Sequence, residues 1–120
     1  GFLWVGTDNG LSIYDGQRWR IVGLLEGLPN PFVTCLAESR SKPGTMWVGT
    51  IAGGLASYRD GRCAVVDMGE DNLDENVSDV LEDTRGRLWL CTYRGIKVRE
   101  GNTFRWFRRF DRTTSSRHTV

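Results

Sequence analysis

Short apolar runs recur along this chain, separated by Gly, Asp, Asn and Ser at turn-like positions. No segment keeps a 3.6-residue apolar period bounded by caps, so little or no helix is expected. One run comes back. Trp4-Val5-Gly6-Thr7 returns as Trp47-Val48-Gly49-Thr50 and, altered, as Trp89-Leu90-Cys91-Thr92, with the Trp residues 43 and 42 positions apart. Other columns keep the same register: Gly10-Leu11, Gly54-Leu55 and Gly95-Ile96; Asp15-Gly16, Asp60-Gly61 and Glu100-Gly101; Val33, Val77 and Val120. Several columns moving together mark an internal repeat.

Each unit reads as four strands. The first is Val33 to Glu38, matched by Val77 to Glu82. The second is Met46 to Thr50, matched by Leu3 to Thr7 and Leu88 to Thr92. The third is Leu55 to Tyr58, matched by Leu11 to Tyr14 and Ile96 to Arg99. The outer strand is Arg18 to Val22, Cys63 to Asp67 or Thr103 to Phe107. The second strand is apolar on both faces, as an inner strand covered by sheets above and below would be. The expected fold is all-β, made of four-stranded antiparallel blades of a β-propeller, about three of them as a partial propeller. Residues 1–32 form an incomplete blade lacking its first strand, 33–76 and 77–119 are complete blades, and Val120 starts a next one. Trp4, Trp47 and Trp89 suit contacts between blades, and the small Gly6 and Gly49 let the next sheet approach. Thr7, Thr50 and Thr92 complete the repeated structural column.

Composition narrows the function. The 120 residues carry 16 Lys and Arg against 15 Asp and Glu, a net charge of +1. That balance argues against a general nucleic-acid binder, and no apolar run is long enough to span a membrane. Fifteen Gly fit many short strands joined by tight turns. The three cysteines, Cys35, Cys63 and Cys91, make no C-x-x-C pair and read as small buried apolar residues. His118 is the only His and lies in the polar tail Thr113 to Thr119, so neither a His-pair metal site nor a Ser-His-Asp arrangement forms within the chain. The carboxylate pairs Glu82-Asp83 and Asp74-Glu75 fit turn chemistry and a solvated loop. No catalytic residue, metal or cofactor is expected. Charge is segregated: Asp67 to Asp83 holds eight acids and no base, and Arg94 to Arg117 holds eight bases. These read as complementary solvated surfaces, or as a basic edge for an anionic glycan or a neighbouring blade.

At these residues the sequence resembles the two-component regulator propeller repeat family. The likeness rests on Leu81-Glu82-Asp83-Thr84-Arg85-Gly86-Arg87-Leu88-Trp89-Leu90-Cys91-Thr92, on the two Trp-Val-Gly-Thr stretches with their following Gly-Leu, and on Glu26-Gly27-Leu28-Pro29-Asn30. Departures are Cys91, Gly95-Ile96 and the enlarged turn from Arg40 to Gly44. The resemblance implies the periplasmic or extracytoplasmic sensor region of a membrane-anchored protein, often a hybrid histidine kinase, that responds to carbohydrates without chemistry.

In such a fold the loops between second and third strands lie on one rim, with the returns around Asn30 and Asn76. Asp8, Asn9, Tyr93 and Arg94 are there to hydrogen-bond or stack on a sugar and are the expected ligand residues. Fewer than three blades cannot close a ring, so the expected partners are the remaining blades of a larger propeller or copies of this chain. A carbohydrate ligand fits the same picture, whereas contact with nucleic acid or membrane by this segment does not. Two alternatives stand beside sensing: an interaction or self-assembling propeller with no small ligand, and a propeller lyase or hydrolase whose active site lies in other blades.

Overall fold

Residues with two apolar faces and frequent turns can satisfy their backbone only as short strands that stack. The computed structural model describes residues 1–69 and 76–109. Its strands are β1 (Leu3–Thr7), β2 (Gly10–Tyr14), β3 (Trp19–Val22), β4 (Val33–Glu38), β5 (Met46–Thr50), β6 (Leu55–Arg59), β7 (Arg62–Val65), β8 (Val77–Glu82), β9 (Leu88–Thr92), β10 (Gly95–Glu100) and β11 (Thr103–Arg109), with one 3-10 turn at Leu24–Glu26. They form three antiparallel meanders: β1-β2-β3, β4-β5-β6-β7 and β8-β9-β10-β11. The fold is a stack of β-propeller blades, the first with three strands. The end of the unit assigned to 77–119, and Val120, lie outside the described residues.

The repeat seen in sequence is a repeat in space. Trp4 stands opposite Ile13, Trp47 opposite Ser57 and Trp89 opposite Val98; Gly6, Gly49 and Cys91 face Leu11, Leu55 and Ile96. At the end of each hairpin the Thr hydroxyl donates to a Gly carbonyl: Thr7 to Gly10 at 2.8 Å, Thr50 to Gly54 at 2.9 Å and Thr92 to Gly95 at 2.9 Å. First strands pair alike too. β4 on β5 and β8 on β9 share one register and one irregularity, between Val33 and Cys35 and between Val77 and Asp79.

Alternation along β5 divides its side chains between two cores. Val48 and Met46 join Leu11, Ile13, Val22 and Leu28 of the first sheet and its connection, whereas Trp47 joins Val77, Val80, Leu88 and Leu90 of the third. Burial in both cores is nearly complete, with Val48, Leu55, Val77 and Leu88 at 0% exposure. Close approach needs small residues. A Cβ on Gly49 would lie 2.3 Å from Cys35 Sγ and 3.0 Å from Val77 Cγ1, and one on Gly6 would lie 2.6 Å from Val33 Cγ1. Gly27 combines a φ of 99° with a Cβ position 2.3 Å from the Cys63 carbonyl oxygen, which explains the Gly of Gly27-Leu28-Pro29.

Several expectations shift. Arg18 belongs to a turn, because the Asp15 carboxylate accepts its N–H and that of Gln17, each at 2.8 Å. β7 runs from Arg62 to Val65 and β11 continues to Arg109, the latter past an irregularity between Ile96 and Lys97. Cys35 and Cys63 are half-buried, but Cys91 is exposed. Trp4 and Trp47 do reach the following sheet. Trp4 meets Tyr58 edge-on with centroids 5.2 Å apart, and Trp47 lies under the Arg99 guanidinium at 5.2 Å, Tyr58 and Arg99 being the same column. Trp89 instead packs within its own sheet, edge-on to Phe107 at 5.1 Å, because no described sheet follows it.

The glycine column gives a direct test. Gly49→Ala is expected to destabilise the chain by about 2 kcal/mol through overpacking against Cys35 and Val77. Cys91→Ala, at the same column on an exposed strand face, is expected to cost less than about 0.5 kcal/mol. Urea unfolding of the two variants measures the difference.

Candidate functional site

The second-to-third-strand hairpins share one Thr–Gly closure and stand at the same end of their strands, the rim. Asp8, Asn9 and Tyr93 are exposed there and Arg94 is half-buried. Asn9 and Arg94 each donate a backbone N–H to the Thr of their hairpin, at 3.0 and 3.2 Å. The rim is tied to the returns: Gly10 N–H donates to the Pro31 carbonyl, Ile51 N–H to that of Phe32 and Tyr93 N–H to that of Asn76. Asn76 also bridges sheets, its Oδ1 accepting the Ala52 N–H at 2.6 Å. Asp8 and Asn9 belong to the first sheet and Tyr93 and Arg94 to the third, so the hairpin of the second sheet separates the two pairs.

The opposite end of the strands holds what the sequence reading missed. A hollow of about 580 Å³ runs beside Trp4, Ile13, Arg20, Tyr58 and Asp60, between the first and second sheets. A second, of about 420 Å³, is lined by Phe2, Trp4, Glu38, Gly44, Thr45 and Met46. Arg20 Nη1 donates to the Tyr58 hydroxyl at 3.3 Å across the larger one. The signal was present in the Trp4 and Tyr58 columns, but only stacking shows that they face one another.

Glu82 departs from the solvated surface expected of the acidic run. The pair it forms with Asp83 reads as turn chemistry, but the turn Glu82 holds is that of the neighbouring sheet: it is 3% exposed and projects into the turn between β4 and β5. Its carboxylate accepts the Ser41 hydroxyl at 2.8 Å, the Ser41 N–H at 3.0 Å, the Arg40 N–H and the Ser39 hydroxyl at 3.2 Å. The enlarged turn from Arg40 to Gly44 is therefore an anchor for the next sheet. Burial pushes the Glu82 carboxyl up, but these donors, led by Ser41, outweigh it and hold the carboxyl below its ordinary value. Asp83 works within its sheet. The Trp89 indole N–H at 2.8 Å, then the N–H groups of Arg87 and Arg85, hold it well below the carboxylate range. Ser39 takes the Asp83 position in the second sheet, and the buried Trp47 Nε1 has no hydrogen-bond partner among the described residues.

The basic run also changes character. Lys97 is 3% exposed, and its ammonium donates to the Met68 carbonyl at 3.0 Å and lies 4.7 Å from the Trp106 ring centroid. The Arg109 and Arg94 guanidinium groups lie 5.3 and 6.0 Å from the same ring. Phe104 packs against the core and Phe107 meets Trp89 edge-on. Among the described residues no cluster of three His, Cys, Asp or Glu could hold a metal ion. His118, Asp74 and Glu75 lie outside them. Among the described residues no helix is long and apolar enough to cross a membrane.

Comparison with known proteins now adds a family. Residues 73–94, which include β8 and β9, match the family model described as Two component regulator propeller. That stretch is similar to one such repeat. No curated protein matches the chain. Among solved structures, it is similar to the extracellular domain of BT4673 from B. thetaiotaomicron, described as a one component system, with 23% identity, a TM-score of 0.79, and coverage of 91% of this chain and 16% of that one. It is similar to PorZ, a surface component of the type-IX secretion system of Porphyromonas gingivalis (21%, 0.72, covering 90% and 18%). A third is the extracellular domain of BT3049 from B. thetaiotaomicron, described as a hybrid two component system (19%, 0.65, covering 90% and 16%). The chain thus spans about a sixth of the length of each. At these identities the likeness carries the propeller fold.

The Glu82 anchor yields a stability prediction with a pH signature. Glu82→Ala is expected to cost about 2 kcal/mol, because it strands the Ser39, Arg40 and Ser41 donors. Folding favours the ionised forms of Glu82 and Asp83. Their contribution is complete above the unfolded values of 4.5 and 3.8 and is lost as the pH falls through the lower folded values. Thermal melts across that acid range should show a shallower loss of stability for Glu82→Gln than for the parent chain.

Proposed function

We propose that this chain is a segment of an extracytoplasmic β-propeller sensor region in two-component signal transduction, which recognises a carbohydrate-like ligand without chemistry. The observation that carries the reading is the repeat match at residues 73–94, inside a sheet whose geometry recurs across the chain. Rigid stacked sheets suit this task, since they present hairpin loops at fixed spacing along a rim. Asp8 and Asn9 offer acceptors and donors there, Tyr93 an exposed ring at 75% exposure, and Arg94 a guanidinium. A sugar engaging both pairs spans the hairpin of the second sheet, so an oligosaccharide fits better than a monosaccharide.

A second reading, propeller assembly, is favoured by the two outer faces of the stack. Leu3, Trp19 and Ile21 are 55%, 54% and 63% exposed on the first sheet, and Leu81 and Phe107 are 60% and 55% exposed on the third. Further blades or copies of this chain would cover such faces. Both readings can hold at once.

A thermal-shift and calorimetric screen against neutral, uronic and sulfated oligosaccharides tests the ligand. Binding is expected to fall about tenfold in Tyr93→Ala and in Arg94→Ala, as for loss of one good contact. Arg20→Ala, at the hollow on the far end of the strands, should leave affinity unchanged; a flat response across the panel would end the carbohydrate reading. Assembly is expected to show as a mass above that of one chain in sedimentation, reversed by Ile21→Lys.

A further inference from the structure

We propose that the hollow between the first and second sheets is a binding site for a planar aromatic carboxylate, with Trp4, Ile13 and Tyr58 as its apolar floor and Arg20 as the group that reads the anion. The hollow measures about 580 Å³, inside the roughly 300–1,000 Å³ typical of small-molecule sites. It stands at the opposite end of the strands from the rim, so this inference does not rest on a sugar ligand.

One row of side chains builds the floor. Trp4 stands opposite Ile13 and Ile13 opposite Arg20, so the row crosses β1, β2 and β3. It faces the second sheet, where Trp4 meets Tyr58 with ring centroids 5.2 Å apart and planes at 81°. Ile13 and Tyr58 are buried in the core that the two sheets share. The sister interface, between the second and third sheets, is closed differently. There the row is Trp47, Ser57 and Ala64, and the Arg99 guanidinium lies over the Trp47 ring. Phe104, opposite Arg99, packs against that core. In the first interface Cys63, opposite Tyr58, takes the position of Phe104. A thiol in place of a ring, and a perpendicular ring in place of a guanidinium over the indole, leave room that Arg99 and Phe104 take up in the sister interface.

The charges suit an anion. Arg20 Nη1 donates to the Tyr58 hydroxyl at 3.3 Å and lies against the Asp60-Gly61 turn, 3.7 Å from where a Gly61 Cβ would stand. Among the described residues Arg20 pairs with no carboxylate. The two acids at the mouth are engaged elsewhere: Asp15 accepts the Gln17 and Arg18 N–H groups, each at 2.8 Å, and Asp60 Oδ2 lies 3.9 Å from Arg59 Nε. The other guanidinium N–H groups are therefore open to a carboxylate, whose two oxygens match the planar fork. An aromatic body suits the floor, because a flat, rigid ring buries apolar area at little cost in conformational entropy.

Calorimetry on the full chain with 2-naphthoate, against its neutral isostere 2-naphthamide, tests the site. Saturable binding of the carboxylate is expected, about tenfold tighter than that of the amide. In NMR spectra the Trp4 indole N–H signal should move on binding while those of Trp47 and Trp89 stay. Arg20→Ala should weaken binding about tenfold, and Arg20→Lys less, since an ammonium keeps the charge but not the fork. Asp60→Asn removes a repelling charge and should tighten binding about twofold. Arg85→Ala, the loss of an exposed cation on the third sheet, should leave it unchanged, and circular dichroism confirms that each variant folds. The inference is overturned by no saturation, by equal affinity for the amide, or by unchanged affinity in Arg20→Ala. It is equally overturned by weaker binding in Asp60→Asn, or by a shift of the Trp47 or Trp89 signal in place of that of Trp4.

Discussion

Burial of two apolar faces per sheet is the constraint on which this molecule depends. A two-layer sandwich gives each sheet one wet face and one dry face. Here β5 sends Val48 one way and Trp47 the other, and both are buried. No single sheet of this sequence can be stable alone, so stacking is the condition for folding at all. The outer faces of the stack inherit the same demand, which links stability to assembly.

Polar contacts fix how the stack is registered. The apolar cores are non-directional and would tolerate sliding. The Glu82 carboxylate in the turn after β4 and the Asn76 amide on Ala52 do not, since each needs donors at defined positions. They tie opposite ends of neighbouring sheets, one at the rim and one at the far turns. Together they fix the second and third sheets relative to each other at both ends of their strands.

The residues of the repeat divide accordingly. Trp, Gly and Thr columns serve the stack and say nothing about a ligand. The loop residues between them vary from hairpin to hairpin: Asp8-Asn9, Ile51-Ala52-Gly53 and Tyr93-Arg94. That is the arrangement expected of a scaffold whose recognition is carried by loops.

Strand positions, hairpins and the repeat were legible in the sequence, because alternation and turn residues are local properties of the chain. The extents of all first and second strands follow from Val33 to Glu38, Met46 to Thr50 and their matches, and the contacts of Gly6 and Gly49 follow from their lack of a side chain. Stacking alone decided the rest. Glu82 and Lys97 look solvated along the chain, yet each is buried, one by donors from the neighbouring sheet and one against Met68 and Trp106. Trp89 shares a column with Trp47 but not its surroundings, because a side chain between sheets takes its environment from whatever sheet comes next, and sequence period records the strand but not its neighbour.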